Sequence, residues 1–118
     1  MAQTSNITFP LKFLSAKNLA YATTNSATSV IDALNVGGFF QFGITVSNSG
    51  TSANVVGNVD IYGSEDNITY ILITSNVMAG TIPVGSAQHY EFKLLMRYLR
   101  IKITSAGTST VDVFVNAN

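Results

Sequence analysis

Along most of its second half, this 118-residue chain alternates apolar and polar side chains with a period of two, and that alternation leaves little choice of architecture. In LRIKIT (99–104), Leu99, Ile101 and Ile103 fall on one side and Arg100, Lys102 and Thr104 on the other. TVDVFVN (110–116) does the same with Val111, Val113 and Val115. Only an extended, pleated backbone sends successive side chains to opposite faces, so each run reads as a strand with one buried face. The intervening SAGTS (105–109) reads as the loop of a hairpin joining these two strands.

The pattern recurs upstream. FFQFGITVS (39–47) sets Phe40, Phe42, Ile44 and Val46 on one face. VVGNVDIY (55–62) turns Val55, Val59 and Ile61 inward and Asn58, Asp60 and Tyr62 outward. HYEFKL (89–94) groups Tyr90, Phe92 and Leu94. ITYILIT (68–74) is almost continuously apolar, which implies burial on both faces or cover by a neighbouring subunit. Polar clusters at 47–54 and 63–67 mark turns, and 75–88, broken by Gly80, Pro83 and Gly85, reads as loop. The first third is less regular. NLAYAT (18–23) reads as a strand; SVIDALNV (29–36) is read as a strand, although a helical period also fits it. NITFPLKFL (6–14) fits an extended arm or an edge strand, since Pro10 has no amide to donate to a ladder.

Val, Ile, Thr, Phe and Tyr outweigh the good helix formers, as a pleated surface favours. Seven to nine short strands spaced by polar turns predict an all-β, antiparallel β-sandwich of jelly-roll-like form. A chain of this size holds one core, so the expected division is an arm or edge strand over 1–17 and a single sandwich over 18–118. With no cysteine, thiol chemistry and disulfide frameworks are excluded. Charged residues make up 10% of the chain, against about 25% in an ordinary globular protein, and the net charge is zero. Close to a third of the residues are Ser, Thr or Asn, so the surface must be built from neutral hydroxyls and amides. Such a surface does not repel its own copies. No apolar run reaches membrane-spanning length, and the N-terminus lacks the pattern of a secretory signal.

The side chains that carry chemistry are few. His89 is the sole histidine, and no G-x-S-x-G elbow accompanies it, so no catalytic residue is expected. The acids Asp32, Asp60, Glu65, Asp66, Glu91 and Asp112 are scattered, and Asp60 and Asp112 are placed to pair with Arg97, Arg100 or Lys102 across strands. Glu65, Asp66 and Asn67 form an oxygen-rich turn, but without the ligand spacing of a calcium loop; no metal or cofactor is expected. Arg97, Tyr98, Arg100 and Lys102 are a candidate polar and basic contact face. With Lys93, the basic residues Arg97, Arg100 and Lys102 number four, too small a footprint for nucleic acid in a neutral chain. Five tyrosines (Tyr21, Tyr62, Tyr70, Tyr90 and Tyr98) keep a glycan ligand in view. Phe9, Pro10, Leu11, Phe13 and Leu14 form an apolar patch near the N-terminus, a candidate docking arm.

From Gly57 to Val115 the chain resembles small jelly-roll-like modules of bacteriophage virion proteins. Those modules carry G-S-x-D, an aromatic soon after, a strand of the type Y-x-R-[IV]-x-[IV], and an S-G-T corner before a last alternating strand. Gly63, Ser64, Asp66, Tyr70, Tyr98, Arg100, Ile101, Ile103, Gly107 and Thr108 occupy these positions here. The aromatic is Tyr70 where Trp is common, and the corner is loosened to Ser105-Ala106-Gly107-Thr108. Carbohydrate-binding sandwiches of the discoidin type share the G-S-x-D turn. The resemblance implies a non-enzymatic virion part: a capsid decoration protein, or a tail or fibre component. It would be made in the host cytoplasm and carried on the particle surface. Its partners would be a capsid or other virion protein and further copies of itself, with neither nucleic acid nor membrane among them. The alternative is a carbohydrate-binding module.

Overall fold

The computed structural model describes residues 13–51, 54–78 and 80–118, with residues 54–57 described at the backbone only. The elements are β1 (Leu14–Thr23), β2 (Thr28–Asn35), β3 (Gln41–Asn48), β4 (Asn54–Ser64), β5 (Ile71–Thr74), β6 (Thr81–Pro83), β7 (Ala87–Lys93), β8 (Tyr98–Ser105) and β9 (Ser109–Ala117). They form two antiparallel sheets. One has the order β1-β9-β3-β7; the other runs β2-β8-β4-β5, with β6 beside β4.

The pairing is nested: β1 pairs with β9, β2 with β8, β3 with β7 and β4 with β5. First meets last and the order closes inward, as in a long folded ribbon. Rolling that ribbon adds the pairs β3–β9 and β4–β8. This is the jelly roll, two Greek keys wrapped around one core. The predicted all-β sandwich is the observed architecture.

The alternating runs face each other across the sandwich. Phe42, Ile44, Val46, Val111, Val113 and Val115 from one sheet meet Val59, Ile61, Leu99, Ile101 and Ile103 from the other, all buried. Burying each large aliphatic side chain stabilises the fold by about 1.5–3 kcal/mol. Phe42 and Phe92 stack at 5.2 Å, which extends the core to β7.

Four expectations need correction. First, β8 and β9 are not a hairpin. They lie in opposite sheets, and residues 106–108 turn the corner between them while Ser105 N donates to Thr24 O at 2.9 Å. Both strands have one apolar face, and a sandwich buries both by opposing them, where a hairpin would set them side by side. Second, β5 is not buried on both faces: Ile71, Leu72 and Ile73 are exposed on an edge strand. Third, Phe40 precedes β3 and is exposed, because the N–H groups of Phe40 and Gln41 both turn to Asn118 O. Fourth, the stretch 75–88 contains the short strand β6. In the N-terminal stretch, residues 14–17 begin β1, an edge strand paired with the end of β9. Residues 1–12 lie outside the described residues.

Candidate functional site: the basic strand and the apolar end

Tyr98, Arg100 and Lys102 share the outer face of β8, half-buried, as alternation requires. Two of the three are engaged by neighbours. Arg100 Nε donates to Asp32 Oδ1 on β2 at 2.6 Å, and its guanidinium lies 3.8 Å from the centre of the Tyr70 ring. Lys102 sits over Tyr62, 5.0 Å away, and is paired in register with Asp60. Arg97 precedes β8; its side chain is exposed and its carbonyl accepts from Val36 N at 2.7 Å. The basic strand therefore clamps β2 and the β4–β5 turn onto the sheet. Partial desolvation raises the Tyr70 hydroxyl above its ordinary value, with Arg100 opposing the shift.

The turn residues of the G-S-x-D run serve the same end. Asp66 Oδ1 accepts from the amides of Ile68 and Thr69, each at 2.9 Å, and from the Ser64 hydroxyl. Ser64 Oγ accepts from the amides of Asp66 and Asn67, and Tyr70 donates to the Asn67 side chain. These bonds hold Asn67 at a positive φ of 62° and lower the Asp66 carboxyl below its ordinary range. Gly63 is closely covered: a Cβ there would lie 2.6 Å from Met96 Sδ and 3.1 Å from Leu94 Cδ1, so both side chains would have to shift to admit one. Gly63, Ser64, Asp66, Tyr70 and Arg100 thus meet at one end of β4 and fasten the turn, whereas Ile101 and Ile103 lie in the core and Gly107 and Thr108 at the opposite end of the sandwich.

The mid-strand acids act likewise. Asp112 accepts the Ala20 amide at 2.8 Å, which a bulge in β1 presents to it. Asp60 accepts the Asn76 amide at 3.0 Å and supports a left-handed residue. The expected Asp112 pairing with a basic residue gives way to this backbone bond, and Arg100 takes Asp32 instead.

His89 lies on the outer face of the other sheet. Its Nδ1 is 2.8 Å from Thr45 Oγ1 and its Nε2 is 3.2 Å from Glu91 Oε2. Hydroxyl, imidazole and carboxylate stand in the order of a nucleophile relay. The row is exposed, and Thr45 is mid-strand in β3, paired on both sides with β7 and β9. Its backbone amides belong to the ladder, so they cannot act as the oxyanion donors that acyl transfer requires.

Exposed apolar side chains are concentrated elsewhere. At one end of the sandwich lie the start of β1, the β2–β3 connection (36–40), the β4–β5 turn (65–70) and the β7–β8 connection (94–97). This end displays Phe13 at 72% exposure, Ile68 at 84%, Leu95 at 82%, and Phe40. A shallow cleft of about 610 Å³ is lined there by Phe40, Glu65, Leu95, Arg97 and Tyr98, among others. The connections at the opposite end, residues 24–27, 49–53, 75–80, 84–86 and 106–108, contain no charged residue. Among the described residues, Val84 is the sole exposed large apolar side chain there. Of the candidate docking arm, Phe13 belongs to the apolar end, Leu14 is half-buried against the core, and Phe9, Pro10 and Leu11 lie outside the described residues. Sequence reading missed Ile68, Leu95 and the exposure of Phe40. The one available signal was the Leu94–Leu95 doublet: alternation turns Leu94 inward, so its neighbour faces out.

No protein-family model matches this chain, and no curated protein matches it in sequence. Solved structures share its fold. The PBSX exported protein XepA superposes with a TM-score of 0.63 at 12% identity, over 89% of this chain and 37% of XepA. The SPBc2 prophage-derived protein YomS gives 0.56 at 15% identity, over 95% of this chain and 98% of YomS. A chain of the IBDV viral particle gives 0.53 at 10% identity, over 90% of this chain and 30% of that one. The present chain therefore spans little more than a third of XepA and nearly the whole of YomS. The likeness at these identities is one of fold.

Proposed function

We propose that this chain is a structural component of a virus particle, in the finer reading a bacteriophage capsid decoration protein, which docks through its apolar end. The observation that carries the reading is the segregation just described: large apolar side chains exposed at one end of a jelly roll and uncharged polar connections at the other. Large apolar side chains left exposed at one end of a domain mark an interaction site. Burying a Phe, Ile or Leu side chain against a partner contributes about 1.5–3 kcal/mol before the cost of association. Repetition over many symmetric sites makes a modest contact effective. The fold's occurrence in a prophage-derived protein and in a virus particle supports the same reading.

The carbohydrate reading finds less support. All five tyrosines are half-buried, and Tyr62 and Tyr70 have a ring face occupied by Lys102 and Arg100. The test is reconstitution. Particles of the encoding virus, prepared without the chain, are incubated with wild-type protein or with an Ile68→Asp/Leu95→Asp variant and sedimented. Wild type should co-sediment to saturation and raise the temperature of particle disruption; the variant, folded by circular dichroism, should stay in the supernatant. Wild-type protein that ignores particles but is retained on a glycan array would replace this reading with the carbohydrate one.

A further inference from the structure

We infer that the free edge of β5 pairs antiparallel with the β5 of a second copy of this chain, joining two jelly rolls through a continuous sheet. The inference extends the proposed virion role but stands on a different surface. Among the described residues the two sheets end in five edge strands, β1 and β7 on one and β2, β5 and the three-residue β6 on the other. An unprotected edge offers a row of unpaired backbone groups to any matching strand, and proteins guard such edges with charge, proline or bulges. Four of the five are guarded: β6 ends on Pro83, β1 carries Lys17, β2 carries Asp32, and β7 carries His89, Glu91 and Lys93. The sequence of β5 is ILIT, with neither charge nor proline. Its three apolar residues stand exposed in succession, Leu72 at 53%.

Self-pairing fits this edge better than a foreign strand. A two-fold axis through the strand sets each of Ile71, Leu72 and Ile73 against another member of the same trio, so every central rung is apolar on apolar. Both copies are neutral overall, so no long-range repulsion opposes their approach. β5 has one guard, a register shift that leaves Ile73 as the extra residue opposite β4. That bulge keeps the paired segment short, so the dimer forms reversibly with concentration and does not grow along the edge.

The absence of cysteine makes the test direct. Single-cysteine variants Ile71→Cys, Leu72→Cys and Ile73→Cys are oxidised mildly beside Leu19→Cys and Val84→Cys, which replace exposed residues elsewhere. The β5 position nearest the two-fold axis should form a disulfide dimer, while the Leu19 and Val84 variants should form no disulfide dimer. In light scattering, wild type should show a concentration-dependent dimer that Leu72→Lys weakens at least about tenfold through facing like charges, with the thermal midpoint kept. Ile68→Asp/Leu95→Asp should leave this dimer intact, which separates the inference from the docking role. A chain that is monomeric at its solubility limit overturns the inference. So does a dimer that survives Leu72→Lys, or crosslinking at β5 no greater than at Leu19 and Val84.

Discussion

Asp66 ties the β4–β5 turn together through one carboxylate oxygen. Because the amides of Thr69 and Ile68 and the Ser64 hydroxyl favour its ionised form, its native value lies below the ordinary 3.8. Its contribution is therefore fully present above the unfolded-state value and is lost as pH falls through the lower native value. The amide signals of Ile68 and Thr69 are expected to titrate together with a midpoint below 3.8; a midpoint at or above it would mean that the carboxylate does not hold the turn. This bonding was legible in the sequence, because Ser, Asp and Asn in a turn reach amides two or three residues away. The partner of Arg100 was not. Asp32 is 68 residues distant, and local spacing cannot say which strand will lie beside β8.

At the scale of elements, legibility followed regularity. β3, β4, β8 and β9 keep strict alternation, and each inward residue predicted there and described in the structure is buried, with Phe40, just outside β3, the exception. β2 breaks the pattern. Its register shifts twice against β8, Val30 and Ile31 are both buried, and Ala33 takes a left-handed φ of 52°. Bulges of this kind erase the period of two, which is why the segment also fits a helical period. A side chain at positive φ crowds its own backbone, and a β-branched one does so most. Ala33→Val should thus lower unfolding free energy in urea by about 1 kcal/mol, whereas the same change at exposed Ala106 should be within about 0.5 kcal/mol of wild type. Equal effects at the two positions would show that the bulge carries no strain.

For the whole molecule, the division between core and apolar end predicts a separation of effects. Ile101 is fully buried between the sheets, so Ile101→Ala should cost about 2–5 kcal/mol by chemical denaturation. Leu95→Ala should change stability by less than about 0.5 kcal/mol and still weaken retention on particles. Stability loss of similar size at both positions would place Leu95 in the core and remove the docking surface. The ends of the sandwich became visible only once the chain was folded, because Phe13, Phe40, Ile68 and Leu95 are far apart in sequence and each follows or precedes a different strand. Local covalent order and the burial of apolar faces were enough to determine strands, turns and the class of fold, since a period of two is a property of neighbouring residues. Which strands pair, that β8 and β9 oppose each other across the core, and that most of the unburied large apolar side chains described lie at one end and one edge are decided by long-range packing, where the energy depends on residues that only the rolled ribbon brings together.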